Sequence, residues 1–388
     1  MKPKRNLVLV LAMLLMASLL IVTSCGTATT PATTTAPTQA ATPAEKSYEW
    51  KLGEYKGKGS LWYDACELFI KVVEEKSNGR IKITHYPGQL LGDWLPQAQA
   101  LMTGSQELGM AIGLTSVNPR WNATTLGYVN YNYEQAIQMM QPGGPMQEIR
   151  DKLCGETGWK LLASPPEADS NVISNKLFDP VNPGGLKVRV FSREAWLARY
   201  SSLGFNPVSM AMSEVPSALA TGAIDAGSGA SHNELSTFYG DAFKYVYAYH
   251  DSFAAMNFVM NLELWNSLSS TDQAILLEAG SQMDKYAWDK FGETITYDWN
   301  SLLPWQIVVT LNGDEWSKCA EKVRKAEWSI TQKYVGSEIM DKIRSIAVPL
   351  PWGKTLDEMN YGYGVLSEKW VRDRQGAVGY NEIKVAGK

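Results

Sequence analysis

In the stretch GGLKVRVFSREAW, Gly184 to Trp196, a single arginine stands between two valines. Arg189 offers a planar, permanently charged fork that meets a carboxylate through two parallel hydrogen bonds, which the point charge of a lysine does not. Leu186, Val188 and Val190 alternate as a half-buried strand does, which puts Arg189 on the other face. Local pattern alone reads that face as solvated, because arginine is mostly exposed. Arg193, at the start of the following helix, reads as solvated for the same reason.

Other chemistry is thinly supplied. The only histidines are His85, His232 and His250, and no short Cys or His spacing joins them, so no metal site and no cofactor is expected. Each histidine reads as structural or surface. There is no GxSxG elbow and no HExxH, which leaves a hydrolase without its usual short motifs, and no enzyme activity is expected. Lys and Arg total 36 against 40 Asp and Glu, a near balance that argues against nucleic acid and against a polybasic membrane patch. Cys66, Cys154 and Cys319 are odd in number and widely spaced, unlike a disulfide framework, and spacing does not say whether any two pair.

The elements that must carry Arg189 follow an α/β pattern. YEWKLGEY alternates weakly as a strand, Ser60 can cap a helix with Trp62, Cys66, Phe69 and Val73 on one face, and RIKITHY alternates again. Strand, amphipathic helix and strand open a lobe with a parallel sheet. Around Arg189 the order repeats: a strand over Leu186–Phe191, a helix from Ser192 to Gly204, the short strand PVSM, and a helix capped by Ser213 and ended by Gly222. ALMTGSQELGMAIG (Ala100–Gly113) and ALATGAIDAGSG (Ala218–Gly229) echo each other, each with a helix end, a Thr-Gly stop, an acidic residue and a Gly-rich strand. Two ordinary helix-to-strand connections explain the echo as readily as two related lobes. Ser269 to Leu303, with no proline, reads as one long helix able to pack on both lobes.

The N-terminus reads as targeting. Lys2, Lys4 and Arg5 precede an apolar run over Leu7–Val22 and then VTSC, ending at Cys25. That run is shorter than the roughly 20 residues that span a bilayer. The order resembles a bacterial lipoprotein signal, so residues 1–24 are expected to be removed and Cys25 lipidated, anchoring the chain outside the cytoplasmic membrane (periplasmic or outer face). Residues 25–46 are mainly Thr, Ala and Pro and read as a tether. About 340 residues follow, two domains by length, and 14 Trp and 18 Tyr can fill a large core and line a cleft.

Taken together, FIKVVEEKSNGRIKITHYPGQLLGD, GGLKVRV, LGFNPVSMAMSEVPSALATGAIDA and LELWNSLSSTDQAILLEAG resemble, in this order, the solute-binding subunits of tripartite ATP-independent periplasmic (TRAP) transporters, the DctP-like family. The resemblance runs from about Tyr48 to Trp316. It implies an α/β, two-lobed periplasmic-binding-protein-like fold with a long helix spanning both lobes. Lobe I would comprise residues 47–168 with about 255–285, and lobe II residues 169–254 with about 286–340. Residues 341–388 would be a C-terminal extension that wraps a lobe or meets a partner. The lobes would close over a small organic acid and deliver it to small and large membrane permease subunits.

The resemblance also implies ligand-binding residues. Arg189 would hold the carboxylate. Met212 falls where members often place a Phe against the ligand, with core packing as its other reading. Asp93 matches a polar position at the cleft mouth, although an Asp there also caps a helix. Tyr55 and Thr115 end strands that face the cleft, where either could simply bond backbone.

Two departures from the family pattern bear on the ligand. DSNVISNK leaves Ser170 or Asn171 where many members carry a second Arg. DAGSGASHN (Asp225–Asn233) lacks the carboxamides and acids that elsewhere follow the acidic residue, leaving Ser228 and Asn233. A monocarboxylate with an apolar or aromatic body, stacked by Phe253 or a Trp, is therefore expected over a dicarboxylate or sialic acid. The alternatives are a binding lipoprotein of an ABC importer or of a sensor system, and a secreted hydrolase.

Overall fold

A computed structural model describes residues 46–359, 363 and 365–377. Cys25, the targeting segment and nearly all of the tether lie outside the described residues, as does the end of the C-terminal extension. Among the described residues no helix is long and apolar enough to cross a membrane.

Two successive βαβαβ runs form the frame. The first is β1 (Tyr48–Gly53), α1 (Leu61–Lys76), β2 (Ile81–Tyr86), α2 (Trp94–Thr103) and β3 (Leu108–Ala111). Two further helices, α3 (Tyr133–Met140) and α4 (Pro145–Thr157), lead to β4 (Trp159–Ala163), the crossover strand β5 (Pro166–Asp169) and β6 (Asn171–Ser174). The second run is β7 (Lys187–Val190), α5 (Glu194–Leu203), β8 (Asn206–Ser209), α6 (Val215–Thr221) and β9 (Ala226–Ala230). Then come the short α7 (His232–Glu234), β10 (Tyr245–Ala248), β11 (Phe253–Ala255), β12 (Asn257–Asn261), α8 (Leu262–Ser267), α9 (Ser270–Asn300), β13 (Ile307–Thr310) and α10 (Gly313–Ile346).

The runs build equivalent sheets. One lobe holds β2-β1-β3-β12-β4, the other β13-β10-β6-β9-β7-β8, and a small antiparallel pair, β5 with β11, lies between them in the chain. In each sheet the first strand of the run is flanked in parallel by its second and third, and an antiparallel strand follows. The repeated motif in the sequence therefore marks related positions. Gly104 and Gly222 both end their helix in the left-handed region, at φ 74° and 72°. Glu107 accepts from the Lys51 amide and Asp225 from the Lys187 amide, both at 2.8 Å, so each acid fastens its lobe's first strand.

Helix α1 forms as its spacing dictates: Ser60 Oγ accepts from Tyr63 N at 3.1 Å, and Trp62, Cys66, Phe69 and Val73 are buried. Helix α6 differs from expectation at its start. A 3₁₀ turn over Met212–Glu214 precedes it, and Ser213 makes no cap bond.

The long helix α9 is capped by Ser269. Its Ile275, Leu276, Ala279, Met283 and Ala287 belong to the core that includes β1, β2 and α1, whereas Phe291, Ile295 and Trp299 belong to the core that includes β6, β7 and β10. Gly280 sits where a Cβ would come within 2.2 Å of the Leu162 carbonyl oxygen of β4, so the close approach needs a residue without a side chain.

Cys66, Cys154 and Cys319 are free and buried, and burial pushes the thiols of Cys154 and Cys319 up to about 12. After α10 the chain folds back on itself: Val348 N donates to Val129 O at 2.9 Å, and Trp370 Nε1 donates to Asn300 Oδ1 at 3.0 Å.

Candidate ligand site

Strand β7 lies inside its sheet, between β8 and β9, and this enclosure changes the meaning of Arg189. Val188, Arg189 and Val190 are all buried, and Arg189 is 1% exposed. Its Nε donates to Met210 O at 3.0 Å and one terminal nitrogen to Ser228 O at 3.2 Å. The guanidinium lies 4.1 Å from the centre of the Phe191 ring. Gly229, at φ 76°, makes room for that ring, since a Cβ there would come within 2.7 Å of it. Among the described residues Arg189 forms no ion pair. Burial lowers its proton affinity, opposed by Tyr239, Glu234 and Tyr200, yet an arginine stays charged.

Arg193 departs from its sequence reading. It is half-buried, not solvated, and its guanidinium donates to Gly113 O, beyond β3 in the other lobe, at 3.4 Å. Burial pushes its pKa down to about 10, with Glu167 acting the other way. Lys56 crosses in the opposite sense: it follows β1 and pairs with Glu234 of α7 at 2.9 Å. Glu234 in turn accepts from Ser231. Both cations, which act on Glu167, come from elements other than the segment around Asn171.

The remaining expected residues fall into distinct surroundings. Ser228 lies beside Arg189, but its hydroxyl donates to Arg189 O at 2.6 Å. Asn233 is half-buried, donates to Glu167 O at 3.4 Å and accepts from Ser231 at 2.7 Å. Tyr55 donates to Met110 O at 2.6 Å, and burial raises its hydroxyl well above the usual range. Thr115 and Met212 are half-buried, Met212 packing against the core. Asp93 is exposed and caps α2, accepting from Trp94 N at 2.7 Å.

Phe253 and Asn171 are enclosed. Phe253 is 2% exposed in an aromatic cluster with Tyr133 and Phe291. Asn171 donates to Asp169 Oδ2 at 2.8 Å and accepts from His250 N at 3.5 Å. Asp169 is the centre of a network absent from the sequence reading: His232 Nδ1 meets one oxygen at 2.6 Å and His250 Nδ1 the other at 2.7 Å. Burial alone would raise that carboxyl, but the two imidazoles hold it well below the carboxylate range. The group braces the point where β5 hands the chain to β6. Contacts 63 and 79 residues apart leave no local signal.

Two α/β lobes with mixed sheets, cross-linked by Lys56–Glu234 and Arg193–Gly113, one of them holding the buried Arg189, form a solute-binding architecture of the periplasmic type. Residues 52–329 match the model of the bacterial extracellular solute-binding protein family 7 (DctP), and the chain belongs to that family. Among curated relatives it is 28% identical over 241 residues to the sialic acid-binding periplasmic protein SiaP of Vibrio cholerae, covering 59% of this chain and 72% of that protein. It is 23% identical over 245 residues to the C4-dicarboxylate-binding periplasmic protein DctP of Rhodobacter capsulatus, covering 60% and 68%. The fold is shared with a TRAP solute-binding protein of Haemophilus influenzae solved with L-gulonate, at a TM-score of 0.70 and 22% identity, covering 77% of this chain and 99% of that one.

Proposed function

We propose that the chain captures a small monocarboxylic acid between its lobes and delivers it to the membrane permease subunits of a TRAP transporter, working outside the cytoplasmic membrane. The observation that carries this reading is Arg189. A buried guanidinium fastened through backbone carbonyls, yet without a counter-ion among the described residues, is costly until an anion reaches it. A carboxylate supplies that charge in the geometry a guanidinium favours.

The body of the acid is polar in this reading. The apolar body expected from sequence leaned on Phe253 or a Trp; the Phe253 ring is enclosed in the core, and the groups near the seam are Lys56, Glu167, Asn233 and Glu234. The L-gulonate of the Haemophilus influenzae protein is consistent with such a body. Lipid anchoring at Cys25 remains part of the proposal.

Titration calorimetry with D-galacturonate, L-gulonate, D-gluconate and succinate tests the reading. The monocarboxylates are expected to bind, and Arg189→Ala to weaken them by about tenfold to a hundredfold. Equal affinity in the alanine variant would overturn it.

A further inference from the structure

Glu167 is the one residue of β5 that is not buried; Pro166, Ala168 and Asp169 are enclosed around it, and Glu167 is half-buried. Its backbone is committed, the carbonyl accepting from Asn233. Its carboxylate, by contrast, accepts no hydrogen bond and forms no ion pair among the described residues. Burial pushes its carboxyl up to about 7, with Glu234 adding to the rise and the cations Lys56, Arg193 and Arg150 opposing it, and each of those cations is engaged elsewhere. Lys56 is held by Glu234 at 2.9 Å, Arg193 reaches Gly113 O, and Arg150 donates from Nε to Asn257 Oδ1 at 3.0 Å and from a terminal nitrogen to Met256 O. An acid lodged among buried neighbours, with cations near but not bonded, is an acceptor without a donor.

We infer that Glu167 is a specificity-determining residue whose carboxylate accepts hydrogen bonds from hydroxyl groups on the body of the acid held by Arg189. The position is suited to a ligand spanning the seam, because Glu167 acts on Arg193 of one lobe and on Tyr55 of the other. The surroundings select among donors. An ammonium group would enter beside three cations, and a second carboxylate would meet Glu167 itself. Neutral hydroxyls avoid both penalties, and a half-buried acceptor left unpaired when the lobes enclose a ligand discriminates against ligands that lack them. A polyhydroxylated monocarboxylate is therefore preferred over an aliphatic or aromatic one of the same size. This rests on the carboxylate reading of Arg189.

The test is calorimetric affinity of the full chain for three hydroxylated acids, D-galacturonate, L-gulonate and D-gluconate, and for cyclohexanecarboxylate, a ring of similar size without hydroxyls. The wild type is expected to favour at least one hydroxylated acid. Glu167→Gln should lower that affinity by about tenfold or more while leaving cyclohexanecarboxylate within about twofold. If the glutamine variant does not fold, Glu167→Asp, which keeps the charge and withdraws the oxygens, carries the same ratio. An equal loss for both kinds of acid, no loss for either, or a wild type indifferent to hydroxyls would each overturn the inference and leave Arg189 as the carboxylate anchor. A wild type that binds none of the four would instead overturn the carboxylate reading.

Discussion

Asp284 shows how strongly the interior acts on a single group. It lies buried on α9, accepts from Ser164 N at 2.7 Å, and burial pushes its carboxyl up to about 7 against the opposing pull of that bond and of Arg150. A carboxyl that holds its proton more tightly folded than unfolded contributes most below its unfolded value, and that contribution is lost as pH rises through the folded one. Asp284→Asn keeps an oxygen for Ser164 and removes the titration. The melting temperature of the wild type is therefore expected to fall more steeply than that of the variant from about pH 5 to about pH 8; parallel curves would contradict this. The same logic of enclosure separates what could be read in the sequence at this scale from what could not. The alternation of Leu186, Val188 and Val190 correctly places Arg189 on the opposite face. That this face is also covered depends on β8 and β9, whose register no local pattern contains.

At the scale of elements, α5 is tied to α10 by a bond that crosses 128 residues of chain. Arg199 donates from Nε to Glu327 Oε2 at 2.8 Å and from a terminal nitrogen to Oε1 at 2.6 Å, with both side chains buried. Arg199 also pairs with buried Asp251 at 3.1 Å, so Glu327→Met leaves it one counter-ion and is expected to cost about 1.5 to 3 kcal/mol in denaturant unfolding, the range for a lost bond to a charged group. The double variant with Arg199→Met should cost less than the two single changes added together. Helices and strands were the most legible level. Ser60, Ser269, Gly104, Gly204 and Gly222 end or start elements as their types require, because capping is local chemistry. What joins the elements was not legible. The ties Arg199–Glu327, His232–Asp169 and Lys56–Glu234 are set by packing between distant segments, and Glu167 gave no signal because its neighbours Lys56, Arg150, Arg193 and Asn233 come from distant segments too.

For the molecule as a whole, the repeated βαβαβ runs explain why the sequence echoes itself, and a seam lies between them. Lys56–Glu234 and Arg193–Gly113 link the lobes across that seam, while β5, β11 and α9 carry the chain between them. Two sheets of five and six strands would ordinarily suggest two independently melting bodies. Helix α9, seated against Leu162 at Gly280, argues otherwise. Its first half completes one core and its second half the other, so neither core survives the loss of the helix. Scanning calorimetry should record one heat-absorption peak, with equal van't Hoff and calorimetric enthalpies, and two resolved peaks would show that the lobes unfold separately. A lobe expressed without α9 would then be a body lacking one wall of its interior, and exchange of its amide hydrogens should be fast even in strands that are slow in the intact chain.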